Sequence, residues 1–274
     1  MIRELLICLD GSTRSLDALP PVAALAEAAG AAVSVVTISA PGQDTWADRA
    51  WLDEVCRDAG IRPTRRMVLP SDDVAGALTA LAEPGVVLSL TSHGHAGLLD
   101  DALGSVAAGV VARSGEPVLI VGPRATVPAR LDVVQVCVDG SPPGETAVTA
   151  AATWSRQLDA VPWLVIVEPP DIGVALSDVV TSAAIQGPIR RLRHAGLAPE
   201  WDTLHDDDVA EALADAAAKL EAAIVVAGTH GHSGFRQAVL GSVAGGLVRR
   251  ARCPVLLVGP SVRRDDEEDD DADA

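Results

Sequence analysis

Two loops of this chain contain glycines at spacings that suit phosphate binding. In the second half, Gly228 and Gly231 are followed by a nine-residue spacer and then by Gly241 and Ser242. Gly231 lets the backbone turn with positive φ or approach a ligand closely. Gly241 and Ser242 stand where a helix should begin, so the free N–H groups of its first turn, the helix dipole and a cap by Ser242 favour an anion. The spacing therefore predicts a cradle for a polyphosphate.

A carboxylate follows the first apolar run of each half, at Asp139 and at Asp10. At the carboxyl end of the central strand of an open α/β sheet, such a group lies beside the crevice where the strand order reverses, and it can accept hydrogen bonds from a ribose. The same aspartates can instead brace the following turn through Asx-type hydrogen bonds. An apolar slot for a base is expected at the ends of the second strands, near Val167 and Ile38.

These loops belong to an internal repeat. Residues 93–95, 104–106 and 117–123 recur with few changes 137 positions later, which indicates a tandem duplication. Both copies contain a His-Gly-His sequence, but no third ligand is evident from the sequence, so no metal site is predicted. The predicted organisation is a first domain over residues 1–123, a linker over 124–130, a second domain over 131–262 and an acidic disordered tail over 263–274.

Both halves alternate apolar strands with helical segments, several of them rich in alanine. Runs that are apolar at nearly every position are typical of parallel strands covered on both faces. The alternation favours right-handed βαβ units, so the predicted fold class is α/β with two tandem doubly wound parallel sheets. Pro20 and Pro21 should kink the first helix or delay its start. We expect strands at residues 5–9, 32–38, 64–69, 86–90 and 117–121 and at 133–138, 161–167, 199–204, 224–227 and 254–258, with helices at 15–29, 72–82, 144–158 and 207–221.

The composition disfavours several classes of protein. The formal charge is −17 and eight of the last ten residues are acidic, so binding of DNA or RNA through a basic face is disfavoured. No apolar run approaches the ~18 residues of a membrane span, and no signal segment is recognised at Met1, so we expect a cytoplasmic protein. The four cysteines show no metal-binding spacing, and Cys8 and Cys137 should be small buried hydrophobes.

Together these motifs are similar to those of the universal stress protein family. Nucleotide-binding members of that family have the pattern Gly-x2-Gly-x9-Gly-Ser/Thr, which the second half matches in full from Gly228 to Ser242. The Asp-Gly-Ser after the first strand and the final Pro-Val-Leu-x-Val strand match in both halves. The resemblance extends over all of the chain except the linker and the tail.

The resemblance implies a specific architecture and ligand. Each half should form a five-stranded parallel sheet of order 3-2-1-4-5, of the adenine-nucleotide α-hydrolase-like kind. ATP should bind, with Mg²⁺ or Mn²⁺, without strong catalysis. Dimer-like pairing through the last strands is implied too, either between the two halves of the chain or between two chains.

The first half departs from the family pattern. Thr91 stands where the first glycine should be, although Gly94, Gly104 and Ser105 are in register. A β-branched residue lacks the backbone freedom of glycine and places a methyl group near the expected phosphates. The first-half spacer contains the acidic pair Asp100-Asp101 and no base, whereas the second contains Arg236, so repulsion should weaken phosphate binding in the first half. We therefore expect two unequal sites.

No catalytic constellation is evident, because the chain lacks a Gly-x-Ser-x-Gly elbow, a Walker-type Gly-Lys-Ser/Thr and a paired Cys/His nucleophile. The leading hypothesis is a nucleotide-dependent regulatory protein with an unknown protein partner and no enzymatic activity. The alternatives are a slow ATPase or phosphotransferase assisted by His230 or His232, and an interaction module that has lost nucleotide binding. The candidate nucleotide contacts are Asp139, Val167, Gly228, Gly231, Gly241, Ser242 and Val243 in the second half, and Asp10, Ile38, Gly94, Gly104 and Ser105 in the first.

Overall fold

Strands and helices alternate along the chain in the computed structural model, which describes residues 1–43, 45–93, 103–170, 174–229, 240–259 and 262. The predicted tail, residues 263–274, lies outside the described residues. The strands are β1 (Glu4–Leu9), β2 (Ala32–Ser39), β3 (Arg65–Pro70), β4 (Val86–Thr91), β5 (Val118–Val121), β6 (Val133–Cys137), β7 (Val161–Glu168), β8 (Glu200–His205), β9 (Ile224–Gly228) and β10 (Val255–Val258). The helices are α1 (Leu19–Ala28), α2 (Trp46–Asp58), α3 (Val74–Thr79), α4 (Ser105–Arg113), α5 (Pro142–Leu158), α6 (Val174–His194), α7 (Val209–Lys219) and α8 (Ser242–Arg250).

The ten strands form one continuous sheet of order β3-β2-β1-β4-β5-β10-β9-β6-β7-β8. Within each half the order is 3-2-1-4-5 and every pairing is parallel, as predicted. The last strands of the halves, β5 and β10, pair antiparallel, with Leu119 opposite Leu256. The two predicted sheets are therefore joined edge to edge, and their strands run in opposite directions.

Apolar side chains alternate between the two faces of this sheet, and each face packs against helices. On one face a single buried cluster contains Leu5 and Leu119 from the first half together with Val136 and Leu256 from the second. The cluster on the other face likewise combines side chains of both halves. Because both clusters cross the β5–β10 junction, the apolar core is continuous through the whole chain.

The junction between the halves, which we call the seam, consists of β5, β10 and the glycine after each. A Cβ built on Gly122 would overlap the carbonyl oxygen of Val248 in α8. A Cβ built on Gly259 would overlap the carbonyl oxygen of Val111 in α4. Only glycine permits this approach of two backbones, which explains why the repeated Pro-Val-Leu-x-Val strand ends in glycine in both halves.

A side chain of α5 also ties the second half to the first. The Gln157 Nε2 donates to the Ile2 carbonyl at 2.8 Å and to the Ala29 carbonyl at 3.0 Å. The Ile2 N–H in turn donates to the Gln157 Oε1. One amide thus satisfies three backbone groups at the start of β1 and the end of α1.

The helices α4 and α8 each pack closely on the preceding helix. A Cβ on Gly246 of α8 would overlap the Ala210 Cβ of α7, and Gly109 of α4 meets Ala75 of α3 in the same way. An Arg250–Asp208 ion pair of 3.0 Å joins α8 to the start of α7. The positions of α4 and α8 are therefore fixed by small residues at the contact.

Two helices, α1 and α3, differ most from their predicted ranges. The chain forms a 3₁₀ turn over Arg14–Ala18, and α1 begins only at Leu19 because Pro20 fits the first helical turn, where its missing N–H has no cost. The helix expected over residues 72–82 is limited to α3, which begins where Asp73 accepts a hydrogen bond from the Gly76 N–H at 3.0 Å. Both differences shorten a helix and leave the topology unchanged.

The four cysteines are free, as expected from their spacing. Burial raises the pKa of Cys8, Cys137 and Cys253 to about 12, and it also raises the pKa of Cys56. These thiols therefore stay protonated at neutral pH. Within the described part of the chain, none of the helices combines the length and apolar character needed to cross a membrane.

Replacing Gly246 with alanine should lower the free energy of unfolding by about 1–3 kcal/mol, because the added methyl overlaps Ala210. Urea unfolding of the full chain measures this change. The matched control is Gly187→Ala in α6, where a Cβ meets nothing within 4 Å and the helix gains up to about 1 kcal/mol. Equal effects of the two substitutions would contradict the packing described for α7 and α8.

Replacing Gln157 with alanine should destabilise the chain by about 1–3 kcal/mol, because it leaves backbone groups of the first half without their partner. Thr149→Ala, at an exposed position of the same helix, should stay within about 0.5 kcal/mol of the wild type. The measurement is the denaturant midpoint of unfolding of the wild type and of both variants. An unchanged midpoint for the Gln157 variant refutes the bridging role.

Candidate functional site

The carboxyl ends of the central strands form one crevice in each half. In the second half, β6 lies between β7 and β9. Asp139 follows β6 and Gly228 ends β9, so both lie at the carboxyl ends of adjacent parallel strands, where the strand order reverses. Asp10 and Thr91 occupy the equivalent ends of β1 and β4. Because the halves run antiparallel across the seam, the two crevices lie at opposite ends of the sheet.

The turn after each central strand is braced by its aspartate. The Asp139 Oδ1 accepts hydrogen bonds from the Ser141 N–H at 2.9 Å and from the Ser141 hydroxyl. Gly140 between them has a φ of 75°, a conformation that favours glycine. The first half repeats this arrangement, with Asp10 accepting from the Ser12 N–H at 2.9 Å. The Asx-type bracing is therefore present in both halves, and it holds each exposed aspartate at the rim of its crevice.

The base of the glycine loop has the same geometry in both halves. The Gly241 N–H donates to the Thr229 carbonyl at 2.7 Å, and the Gly104 N–H donates to the Ser92 carbonyl at 2.7 Å. These bonds bring the end of β9 against the start of α8, and the end of β4 against the start of α4. Most of each loop, over residues 94–102 and 230–239, lies outside the described residues, and with it Gly94, Gly231, Arg236 and the pair Asp100-Asp101.

Ser242 is not the cap of its helix, so that part of the prediction was wrong. Gly241 has an extended backbone with φ −66° and ψ 158°, and its carbonyl accepts the first helical hydrogen bond from the Gly245 N–H at 2.9 Å. Gly241 is therefore the N-cap, and Ser242 is the first helical residue. The first half is the same, with Gly104 as cap and Ser105 inside the helix.

Neither glycine cap supplies a side-chain hydrogen bond to the first turn of its helix. By contrast, Asp73, Ser141 and Asp208 cap α3, α5 and α7 with side-chain oxygens. The N-termini of α4 and α8 thus present backbone donors to the crevice without a competing side chain from the cap. An anion is the group that such a helix end favours.

Thr91 and Gly228 occupy equivalent positions but differ in what they place at the loop. Each ends its strand opposite a seam residue, Val121 for Thr91 and Val258 for Gly228. The Thr91 hydroxyl donates to the His93 carbonyl at 3.2 Å, so its side chain lies against the start of the glycine loop. The Nε2 of His93 is buried and has no hydrogen-bond partner among the described residues. The first-half loop is therefore altered at its base.

The residues expected near a base or along the phosphate helix are partly buried. Val167, Ile38 and Val243 all pack against the same apolar cluster, on the face of the sheet that α4 and α8 cover. Val167 and Ile38 lie near the carboxyl ends of β7 and β2. An apolar surface is thus present beside each crevice.

Sequence reasoning missed a buried carboxylate at the end of β7. Glu168 is only 2% exposed, and its Oε2 lies 4.0 Å from the Nδ1 of His205 on the neighbouring strand. Its counterpart in the first half is Ser39, which is also buried. An acidic residue that ends the apolar run from Val161 was the signal available in the sequence.

A cavity of about 680 Å³ lies away from the described residues of both crevices. It lies between the halves, where the amino ends of β1, β4 and β5 face α5, and its lining includes Ile2, Val87, Pro117, Thr149 and Trp154. Among the described residues, no group of three His, Cys, Asp or Glu side chains could hold a metal ion. The His-Gly-His sequences extend into the spacers, outside the described residues.

Comparisons with known proteins agree with this geometry. The sequence profile of the universal stress protein family matches residues 131–259. The chain is similar in structure to a universal stress protein from Archaeoglobus fulgidus DSM 4304, with a TM-score of 0.66 and 19% identity over 93% of this chain and 98% of that one. It is also similar to a putative universal stress protein from Pseudomonas aeruginosa UCBPP-PA14, with a TM-score of 0.64 and 15% identity over 95% of this chain and 94% of that one.

A search of curated proteins finds no match to the chain. At these identities the solved structures establish a shared fold, and their coverage shows that the fold extends over both halves. The sequence match to the second half is independent of that likeness. The second half, over residues 131–259, thus matches the sequence profile of the universal stress protein family, and both halves share the fold of the two similar structures.

Proposed function

We propose that the second half binds ATP in the crevice between β6 and β9, and that the protein acts as a nucleotide-dependent regulator in the stress response. The observation that supports this most strongly is the start of α8. A glycine cap leaves its first turn without a side-chain partner from the cap, and the Thr229–Gly241 hydrogen bond holds that turn at the end of β9. Backbone N–H groups and the helix dipole there suit the phosphates.

Among the described residues, packing does not require glycine at the first-half cap. At Gly104, the counterpart of Gly241, a Cβ would lie 3.5 Å from the Ser92 carbonyl oxygen, which is an ordinary van der Waals contact. Its φ of −65° is also accessible to any residue. A glycine cap also leaves room for the close approach of a ligand, which is the role we propose for Gly241.

The ribose and the base of the nucleotide would lie at the carboxyl ends of β6 and β7. The Asx turn holds the Asp139 carboxylate at the crevice, where it accepts hydrogen bonds from ribose hydroxyls. Val167 supplies apolar surface for the base. The choice of adenine rests on the family resemblance.

A divalent cation fits this arrangement as a companion of the nucleotide. Mg²⁺ is bound through phosphate oxygens and one or two protein oxygens, and it keeps several waters. The Ser242 hydroxyl and the Asp139 carboxylate are oxygen donors of that kind. The cation would neutralise phosphate charge in a chain whose formal charge is −17.

Regulation by occupancy, rather than efficient turnover, is the role we propose. Burial keeps the pKa of all four thiols above the ordinary range, so no thiolate nucleophile is available at neutral pH. Binding of a nucleotide instead stabilises the arrangement of loop and helix that it contacts. A protein partner that distinguishes the bound from the free form would read that change.

Replacing Gly241 with valine should weaken ATP binding about 100-fold, because the side chain blocks two charge-assisted hydrogen bonds from the α8 N-terminus. Isothermal titration calorimetry with Mg²⁺ and ATP measures the affinity. Gly104→Val is the matched control in the first half and should weaken ATP binding far less, because it removes no donor from the second-half site. ATP binding that is absent from the wild type, or equal in all three proteins, contradicts the proposal.

Converting the first-half loop to the second-half sequence should create a second site of comparable affinity. The triple substitution Thr91→Gly, Asp100→Gln and Asp101→Ala copies Gly228, Gln237 and Ala238. It removes the methyl group and the two charges that oppose phosphate. The stoichiometry in the same titration should rise from about one ATP to about two, whereas an unchanged stoichiometry refutes this explanation of the asymmetry.

A further inference from the structure

We propose that the two crevices are coupled through the seam, so that the first half regulates nucleotide binding in the second. This inference rests on the proposed ATP site. It concerns a different part of the molecule, namely the contact of the glycine after each seam strand, Gly122 or Gly259, with the phosphate-binding helix of the other half. The first-half crevice, altered at Thr91, would then serve the second-half site as its regulator.

The base of each loop is attached to a seam strand. In the first half, the Ser92 N–H donates to the Val121 carbonyl at 3.0 Å. In the second half, the Thr229 N–H donates to the Val258 carbonyl at 3.0 Å. The residues that close the glycine loops, Ser92 and Thr229, are therefore bonded directly to the ends of β5 and β10.

The next residue of each seam strand presses on a helix of the opposite half. Gly122 follows Val121 and packs against the backbone of Val248, in the last turn of α8. Gly259 follows Val258 and packs against the backbone of Val111, near the end of α4. The contacts are reciprocal, and in both of them main chain meets main chain.

These two helices are the ones that start at the glycine caps. Each contains nine residues, and the seven from its first residue to the seam contact at Val248 or Val111 span about 10 Å. The contact with the preceding helix at Gly246 or Gly109 restricts sideways movement. A shift of α8 on binding phosphate must therefore displace Gly122, and through it Val121 and the loop base at Ser92, because packed interiors transmit strain.

The same chain of contacts runs in the opposite direction. A change in the position of Ser92 or Val121 moves Gly122 and alters where α8 can lie, which changes the affinity of the second-half site. Thermodynamic linkage requires the effect to be equal in both directions. The seam is thus the element whose position both crevices influence.

Gly122→Ala tests the coupling, because it enlarges the contact with α8 but lies in the half that does not contain the tighter site. In the full chain, ATP affinity measured by calorimetry should fall roughly 5- to 150-fold, the usual range for coupled sites. Gly115→Ala is the matched control, since a Cβ there meets nothing within 4 Å, and its affinity should equal that of the wild type. A folded Gly122→Ala protein with wild-type affinity overturns the coupling while leaving the proposed ATP site intact.

A second measurement keeps the inference testable if Gly122→Ala does not fold. Hydrogen exchange of residues 118–125 is followed in the Gly104→Val protein, whose first-half crevice is blocked, with and without ATP. Slower exchange in that segment on adding ATP must originate from the second-half site and supports the coupling. Unchanged exchange at saturating ATP overturns it, whereas a wild-type protein that binds no ATP overturns the proposed function itself.

Discussion

The antiparallel pairing of β5 with β10 is the constraint on which the rest of the structure depends. Without it each half would expose an edge strand as apolar as Val118–Val121, which invites uncontrolled pairing with other chains. With it, two parallel sheets become one sheet of ten strands with a core that is continuous on both faces. The pairing also requires glycine at positions 122 and 259, because the backbones of the two halves meet there.

The same pairing determines where function can be located. It directs the carboxyl ends of the two sets of strands to opposite ends of the sheet, so the crevices cannot share one ligand. Each crevice has a braced aspartate on one strand and a glycine-capped helix after the next. The halves differ at the strand end, where Thr91 places a hydroxyl group and a methyl group and Gly228 places neither. The duplication has therefore given two crevices with the same framework but different residues at the base of the loop.

Much of this could be predicted from the sequence, because the patterns concerned are local. Apolar runs such as Leu5–Leu9 predicted buried parallel strands, and the aspartate after each central strand suggested the Asx-type brace that the structure has. The family resemblance supplied the strand order and the pairing of the last strands. The limits predicted for the two domains remain a prediction.

Other features depend on contacts between distant residues and could not be predicted in the same way. The sequence suggested Ser242 as a helix cap, but the extended backbone of Gly241 makes the glycine the cap. The burial of Glu168 and the bridge formed by Gln157 arise only when separate elements pack together. The reason for Gly122 and Gly259 becomes visible only when the two halves are seen to meet.

The most direct test of the account is a crystal structure of the full chain with a non-hydrolysable ATP analogue and Mg²⁺. Electron density for the analogue is expected in the second-half crevice, with its phosphates at the start of α8 beside Gly241 and its ribose at Asp139. Density in the first-half crevice should be weaker or absent. Density confined to the first half, or equal density in both crevices, would contradict the claim that the two halves form unequal nucleotide sites.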